Sequence, residues 1–484
     1  MKQKSIKLNF IMNAILQISA FIFPLITFPY VSRILGPSGT GNVSFATSIV
    51  TYFALFAQLG IPTYGIRATA RVRDDKKLLS KTVQEIFIIN AVMCVLAYFV
   101  FFVVLNLVPK MYNDKVLFII ISSTILFNSV GMDWLYKGLE KYTYITFVSI
   151  IFKFIALILM FVCVHHKNDY VIYGAISIFA ASASNICNLV NIHKLIYIKP
   201  IFNYEFTKHF RPIMIFFAMS CATTIYTNLD TVMLGFMKDN VEVGYYNAAI
   251  KIKNVLLGVV TSLGTVLLPR ASYYIENNMY SEFKRIAGKA LNFVVLISFP
   301  LCLYFILFAK EGVLFLSGDA YTEAILPMQI LMPTLIFIGL TNIMGIQMLI
   351  PLGREKVVLY SEIAGAIVDL VINTILIPIM ASSGAAIGTL VAEMVVWIVQ
   401  YIALKEDVKE AYVKIRYLPI VIGLAISALL SMPIKLLGLS SFFTLLLSAI
   451  VFFGIYLVVL TVAKEKLVNE IEFQILEKIL KKGE

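Results

Sequence analysis

Charge is scarce in this sequence. Only 14% of its 484 residues are Asp, Glu, Lys or Arg, against about 25% in an ordinary soluble domain. That deficit excludes a chain that presents most of its surface to water. Cysteine is also sparse, and the five present (Cys94, Cys163, Cys187, Cys221 and Cys302) lie inside apolar runs. None has metal-ligand or redox spacing, so they read as small core residues. The four histidines, His165, His166, His193 and His209, form no constellation along the chain, and the HHKND string at 165–169 reads as a solvated turn. No GxxxxGK[ST] string occurs, which leaves no P-loop for ATP. No stretch between apolar runs exceeds about 20 residues, so there is no room for a soluble catalytic domain on either side of a membrane.

Apolar residues, by contrast, make up 60% of the chain, roughly 290 positions. A spanning helix consumes about 20, which allows about fourteen. Fourteen runs can be read, at about 9–34, 41–60, 84–107, 116–134, 143–164, 170–193, 213–236, 244–268, 288–309, 323–349, 357–380, 384–404, 415–434 and 440–463. They are continuous rather than alternating, which predicts helices and not barrel strands. The expected fold is therefore an all-α polytopic membrane protein. The net charge of +12 points to basic cytoplasmic loops rather than to nucleic acid. With the N-terminus inside, the inner segments hold 30 of the 40 Lys and Arg, the outer loops hold 7, and Lys153, Lys251 and Lys253 fall within runs. Both termini are thus expected in the cytoplasm. The basic start MKQKSIKLNF has no small-residue cleavage site after it, so the first run is expected to be retained.

Three pairs of strings recur in order about 200 to 215 residues apart. VSRILGPSGTGNVSFATSI (31–49) parallels TVMLGFMKDNVEVGYYNAAIKI (231–252), LGIPTYGIRATA (59–70) parallels LGTVLLPRAS (263–272), and YKGLEKY (136–142) parallels PLGREKV (351–357). The pattern predicts an internal duplication, with six-helix lobes at 1–200 and 201–410 around a central cavity. Two added helices follow at 411–463. Each repeat has an even number of spans, so both enter from the same side as parallel repeats do. The tail 464–484 places Leu467, Ile471, Ile475 and Ile479 four residues apart, as in an amphipathic surface helix.

Charges inside membrane runs are expensive and mark functional positions. Lys153 lies about 15 Å into its run and Lys251 and Lys253 about 10–14 Å into theirs, at about 1.5 Å per residue; the last two point to opposite faces. Asp230 sits near the outer end of its run. Glu362, Ala366, Asp369 and Asn373 fall on one helical face, and Glu393 is mid-run. These carboxylates are candidates for structural counter-ions or ion-coupling groups. Arg33 closes the first run after Pro24 and Pro29. Those prolines predict a bent helix, and the arginine is either an interfacial snorkel or a bidentate phosphate ligand turned inward.

The strings PYVSRILGPSGTGNVSFA, LGIPTYGIRATA, WLYKGLEKY and NLDTVMLGFMKDNVEVGYYNAAIKI resemble those of Wzx-type repeat-unit flippases. These form the polysaccharide transporter branch of the multidrug/oligosaccharidyl-lipid/polysaccharide (MOP) exporter superfamily. The resemblance covers essentially the whole chain. It implies two six-helix lobes around a central cavity, often with two further helices. It also implies translocation of undecaprenyl-diphosphate-linked oligosaccharides to the outer leaflet of a bacterial cell (inner or plasma) membrane, for capsule, O-antigen or a related polymer. Cavity cations for the diphosphate would match Arg33, Lys153 and Lys251, with Asp230 as a further lining residue. Asp369, Glu393 and Glu362 would be the ion-coupling candidates, with a Na+ or H+ gradient and no cofactor or metal. The partners implied are the lipid-linked saccharide, the bilayer and a polysaccharide polymerase. Two alternatives stay open: a multidrug exporter of the same superfamily, disfavoured by deep lysines, and a membrane polymerase or ligase, disfavoured by the short outer loops.

Overall fold

The computed structural model of the chain describes residues 6–262 and 264–470. Among these residues it is helical with no strand. The chain divides after Gly244 into two compact units, 1–244 and 245–484.

The first unit begins with a 53-residue helix, α1 (Ile6–Gln58). At 1.5 Å per residue that is about 80 Å, far more than a hydrocarbon core of about 30 Å. The element is two helices joined at Gly36, whose φ of 67° and ψ of −176° are non-helical. Glycine reaches this conformation without a Cβ clash, and Pro37 follows with no N–H to donate. Pro24 and Pro29 lie inside the helical stretch, and the backbone leaves helical geometry at Gly36. A second break at Leu59 and Gly60, with φ of 46° and 69°, starts α2 (Ile61–Arg71).

Helix α3 (Lys76–Leu107) is capped by Asp75, whose carboxylate accepts from Lys77 N at 2.8 Å and Leu78 N at 3.0 Å. Its buried face runs Leu79, Val83, Ile86, Asn90, Cys94, Ala97, Phe101 and Leu105, the three-and-four spacing of one helical stripe. The opposite face is just as apolar, yet Val95 is 69%, Phe99 68% and Leu107 74% exposed. A helix hydrophobic all round with one face uncovered requires lipid. The unit continues with α4 (Lys115–Gly131), α5 (Asp133–Gly138), α6 (Tyr142–Cys163), α7 (Tyr170–Ser182), α8 (Ser184–Asn191) and α9 (Thr207–Met237). Helix α10 (Asn240–Thr261) begins in this unit and ends in the second. Two of the repeated strings meet here. A Cβ on Gly41 would strike the carbonyl of Asn240, and one on Gly244 would strike that of Pro37. Both glycines are needed for this close backbone approach, which Asn240 Nδ2 reinforces by donating to Asn42 Oδ1 at 2.6 Å.

The second unit holds α11 (Gly264–Glu276), α12 (Tyr280–Leu307), α13 (Ala309–Ser317), α14 (Ile325–Leu331), α15 (Thr334–Thr341) and a π-helical turn at Asn342–Leu349. Helix α16 (Glu355–Lys414) spans 60 residues and is broken at Ala381 (φ 48°, ψ −124°). Its core packs Phe283, Leu291 and Val294 against Met344, Met348, Leu404 and Val408. Helices α17 (Tyr417–Ser431) and α18 (Ser441–Val462) pair and attach through Tyr304. Its ring stacks on Phe308 at 4.9 Å, and its hydroxyl donates to Leu445 O at 2.8 Å.

Ten helices among the described residues are long and apolar enough to span a membrane, or eleven if the pair Asp319–Leu331 and Thr334–Leu349, bent by 45°, is one span. The fourteen separate spans expected are thus not reproduced as a count. The expected runs at 9–34 and 41–60 merge into α1, and those at 357–380 and 384–404 into α16. The amphipathic tail is described only as far as Glu470. There Glu465 accepts from Leu467 N and Val468 N at 2.7 and 2.9 Å, and Leu467 packs on the core; Ile471, Ile475 and Ile479 lie outside the described residues.

Candidate functional site

The expected site residues fall in both units. In the first, Lys153 on α6 is half-buried and donates from Nζ to Ser19 Oγ on α1 at 2.8 Å. A neutral hydroxyl holds the ammonium here without cancelling its charge. Arg33 is exposed, one turn before the Gly36 break, and its guanidinium donates to Pro29 O in its own helix at 2.6 Å. Asp230 on α9 is buried, at 6% exposure.

In the second unit the two arms of α16 lie against each other. Ser361, Gly365, Asp369 and Asn373 line the buried face of the first arm, and Gly388, Thr389, Glu393 and Gln400 are buried on the second. A Cβ at Gly388 would collide with the side chains of Asn373 and Asp369, so the glycine is what lets the polar groups approach. Gln400 Nε2 donates to Ser361 Oγ at 3.1 Å, and Tyr246 OH lies 2.8 Å from Thr389 Oγ1. Helix α10 thereby joins this polar belt and carries both lysines. Lys253 is the buried one at 8% exposure, whereas Lys251, the expected ligand, is half-buried. Glu362 is also only half-buried, beside the stripe rather than on it. Among the described residues no group of His, Cys, Asp and Glu could hold a metal ion.

One cluster escaped the sequence reading. Glu85 on α3 has no exposed side-chain surface, yet it is ringed by donors. His209 Nε2 is 2.8 Å away, Lys208 Nζ 3.0 Å, and Glu205 N donates to its other oxygen at 2.7 Å. The far nitrogen of His209, Nδ1, meets Tyr64 OH of α2 at 2.5 Å. The expectation that the histidines form no constellation is therefore corrected for His209. Outside the spans, Lys81 beside Glu205, at 2.7 Å, holds that carboxyl below the usual carboxylate range, helped by Lys208. The sequence signal was a carboxylate at the second residue of an apolar run, where it passes for an interfacial charge. The HHKND string does form an exposed turn, with Asp169 Oδ2 accepting from both histidine N–H groups at 2.8 Å.

Comparison with known proteins decides the family. Residues 6–275 match the family described as "Polysaccharide biosynthesis protein". The chain belongs to that family. Residues 215–375 also match the MatE family, as expected within the MOP superfamily. The polysaccharide-family chain is similar to the "Putative O-antigen transporter" of Escherichia coli (strain K12), 26% identical over 397 residues, covering 81% of this chain and 95% of that protein. The protein of the same name from Shigella dysenteriae is 27% identical over 414 residues, covering 81% and 98%. Among solved structures, "Lipid II flippase MurJ, inward closed conformation" superposes with a TM-score of 0.71 at 16% identity, covering 95% of this chain and all of that one. An inward-facing multidrug resistance MATE family transporter gives 0.62 at 14% identity, covering 84% and 99%. At such identities the likeness shows the fold. This family member is a multi-pass membrane transporter of the MOP superfamily, not an enzyme.

Proposed function

We propose that this transporter moves undecaprenyl-diphosphate-linked saccharide units from the cytoplasmic to the outer leaflet of a bacterial inner or plasma membrane. The product would be a surface polysaccharide of the O-antigen or capsule type. The observation that carries this reading is the similarity to two O-antigen transporters over nearly their full length. The residues are chemically suited to it. A diphosphate bears about two negative charges, and fixed cations offset the cost of removing it from water. Lys153, Arg33 and Lys251 are the proposed cations, with Asp230 on α9 as a further proposed lining residue. The lipid tail need not leave the bilayer, and a groove of about 360 Å³ between α17 and α18, lined by Leu418, Ile422, Ile426, Val458 and Val462, suits an isoprenoid chain.

An inside-negative potential drives anions outward. At about 2.3 kcal/mol per charge per 100 mV, two charges gain roughly 4.6 kcal/mol. Antiport of Na+ or H+ through Asp369, Glu393 and Glu362 would add to this. Both termini would then face the cytoplasm, and a polymerase would consume the product outside. Deleting the gene tests the proposal. Lipid-linked units should accumulate on the cytoplasmic face while surface polymer disappears; unchanged polymer with no trapped intermediate would sink it.

A further inference from the structure

The first unit contains a second kind of site. A cavity of about 340 Å³ opens among α1, α4, α7 and α9. Its size is at the lower end of the range of about 300–1,000 Å³ typical of small-molecule sites. Among its described lining residues none is charged and none is aromatic. The seven polar ones are all hydroxyls and amides: Thr47, Thr51, Gln58, Thr124, Asn128, Ser220 and Thr224.

Three features show how the cavity is built. Gly60, in its left-handed conformation, lies so close to the backbone of Phe216 and Phe217 that a Cβ would collide. This lets α9 close one wall. On another wall Asn185 Nδ2 donates to Asn128 Oδ1 at 3.2 Å and fixes that amide, with Gly131 making room for the Asn185 side chain. Finally, Thr124 Oγ1 is buried without a hydrogen-bond partner. A buried orphan hydroxyl costs free energy unless a ligand or water satisfies it.

The chemistry narrows the occupant. A diphosphate needs cations, and this cavity has none. A drug cation needs a carboxylate or an aromatic face, and it has neither. An isoprenoid tail would leave the buried Thr124 hydroxyl unsatisfied. A ligand that is neutral and carries hydroxyl or amide groups fits this polar lining. We infer that this cavity is a specificity subsite for a neutral or N-acetylated sugar of the lipid-linked unit, with Thr124, Gln58 and Thr224 as its hydrogen-bonding residues. The inference rests on the proposed flippase function and adds to it the part of the substrate that the cations cannot read. Hydrogen bonds to substrate hydroxyls discriminate strongly, because a ligand lacking them leaves buried partners unpaired.

The test uses the full chain in nanodiscs and two probes. One is the saccharide-bearing lipid extracted from cells lacking the gene; the other is bare undecaprenyl diphosphate. Wild-type protein should bind the first more tightly. Thr124→Val should reduce that preference roughly three- to tenfold, without changing binding of the bare lipid. Thr224→Val, on a different helix, should do the same and guards against a folding defect in the first variant. Should both variants keep the wild-type preference, or should the wild type bind both lipids equally, the subsite is overturned while the flippase reading stands. Should the wild type bind neither lipid, both fall.

Discussion

Removing Glu85 is the sharpest test of how the first unit is held together. The carboxylate is fully buried, and it accepts from His209, Lys208 and the Glu205 backbone at 2.8, 3.0 and 2.7 Å. It thereby ties α3 to the start of α9 and, through His209, to Tyr64 of α2. Glu85→Ala leaves a buried imidazole, an ammonium and an amide without their acceptor. Breaking a buried pair from one side costs about 3–5 kcal/mol. For a cooperative unit of 244 residues, at about 2–4 °C per kcal/mol, the melting temperature should fall by at least roughly 6 °C. The assay is a thermal unfolding scan of purified protein in mild detergent. A triple change, Glu85→Leu with Lys208→Met and His209→Leu, removes the stranded partners together with the charge. It should recover a large part of the loss, because apolar replacement of a whole buried polar group is nearly neutral. Melting of Glu85→Ala within about 1 °C of wild type would refute the reasoning, and so would a triple variant less stable than the single one.

Four further outcomes are expected. Lys153→Glu should abolish export of surface polymer in cells while the protein still reaches the membrane, as read by immunoblot of the membrane fraction; normal polymer would count against a cationic path. Gly41→Val forces a side chain into the Asn240 carbonyl and should cost about 1–3 kcal/mol or more, seen as a lower melting temperature, with Gly244→Ala weaker but in the same direction. Asp369→Asn keeps the size of the group beside Gly388 but removes its charge, so transport in vesicles should lose its response to an imposed Na+ or H+ gradient. The Glu205 carboxyl is held low by Lys81, so its contribution is present above the ordinary glutamate range and is lost as pH falls through the lowered value. Protease cleavage within 195–206 should therefore accelerate in acid and stay flat from neutral to mildly basic pH.

Composition and hydropathy alone establish an all-helical membrane chain with charges planted at membrane depth. Both properties are local: apolar length determines whether a segment can leave water, and a deep lysine is visible in the run that contains it. The repeated strings were legible as a duplication, but that Gly41 and Gly244 let the two backbones approach came from the folded chain. Helix breaks were less legible. Proline at 24 and 29 drew attention, but a proline inside a helix can be accommodated, whereas the left-handed backbone at Gly36 cannot be seen until the chain is folded. The same holds for Ala381, a residue with no turn signal of its own. Only the tertiary structure brought Glu85 to His209, 124 positions away, or gathered scattered threonines and amides from three helices around one cavity. Periodicity specifies which face of a helix is buried, but which partner that face meets depends on long-range packing, and polar clusters are made of partners.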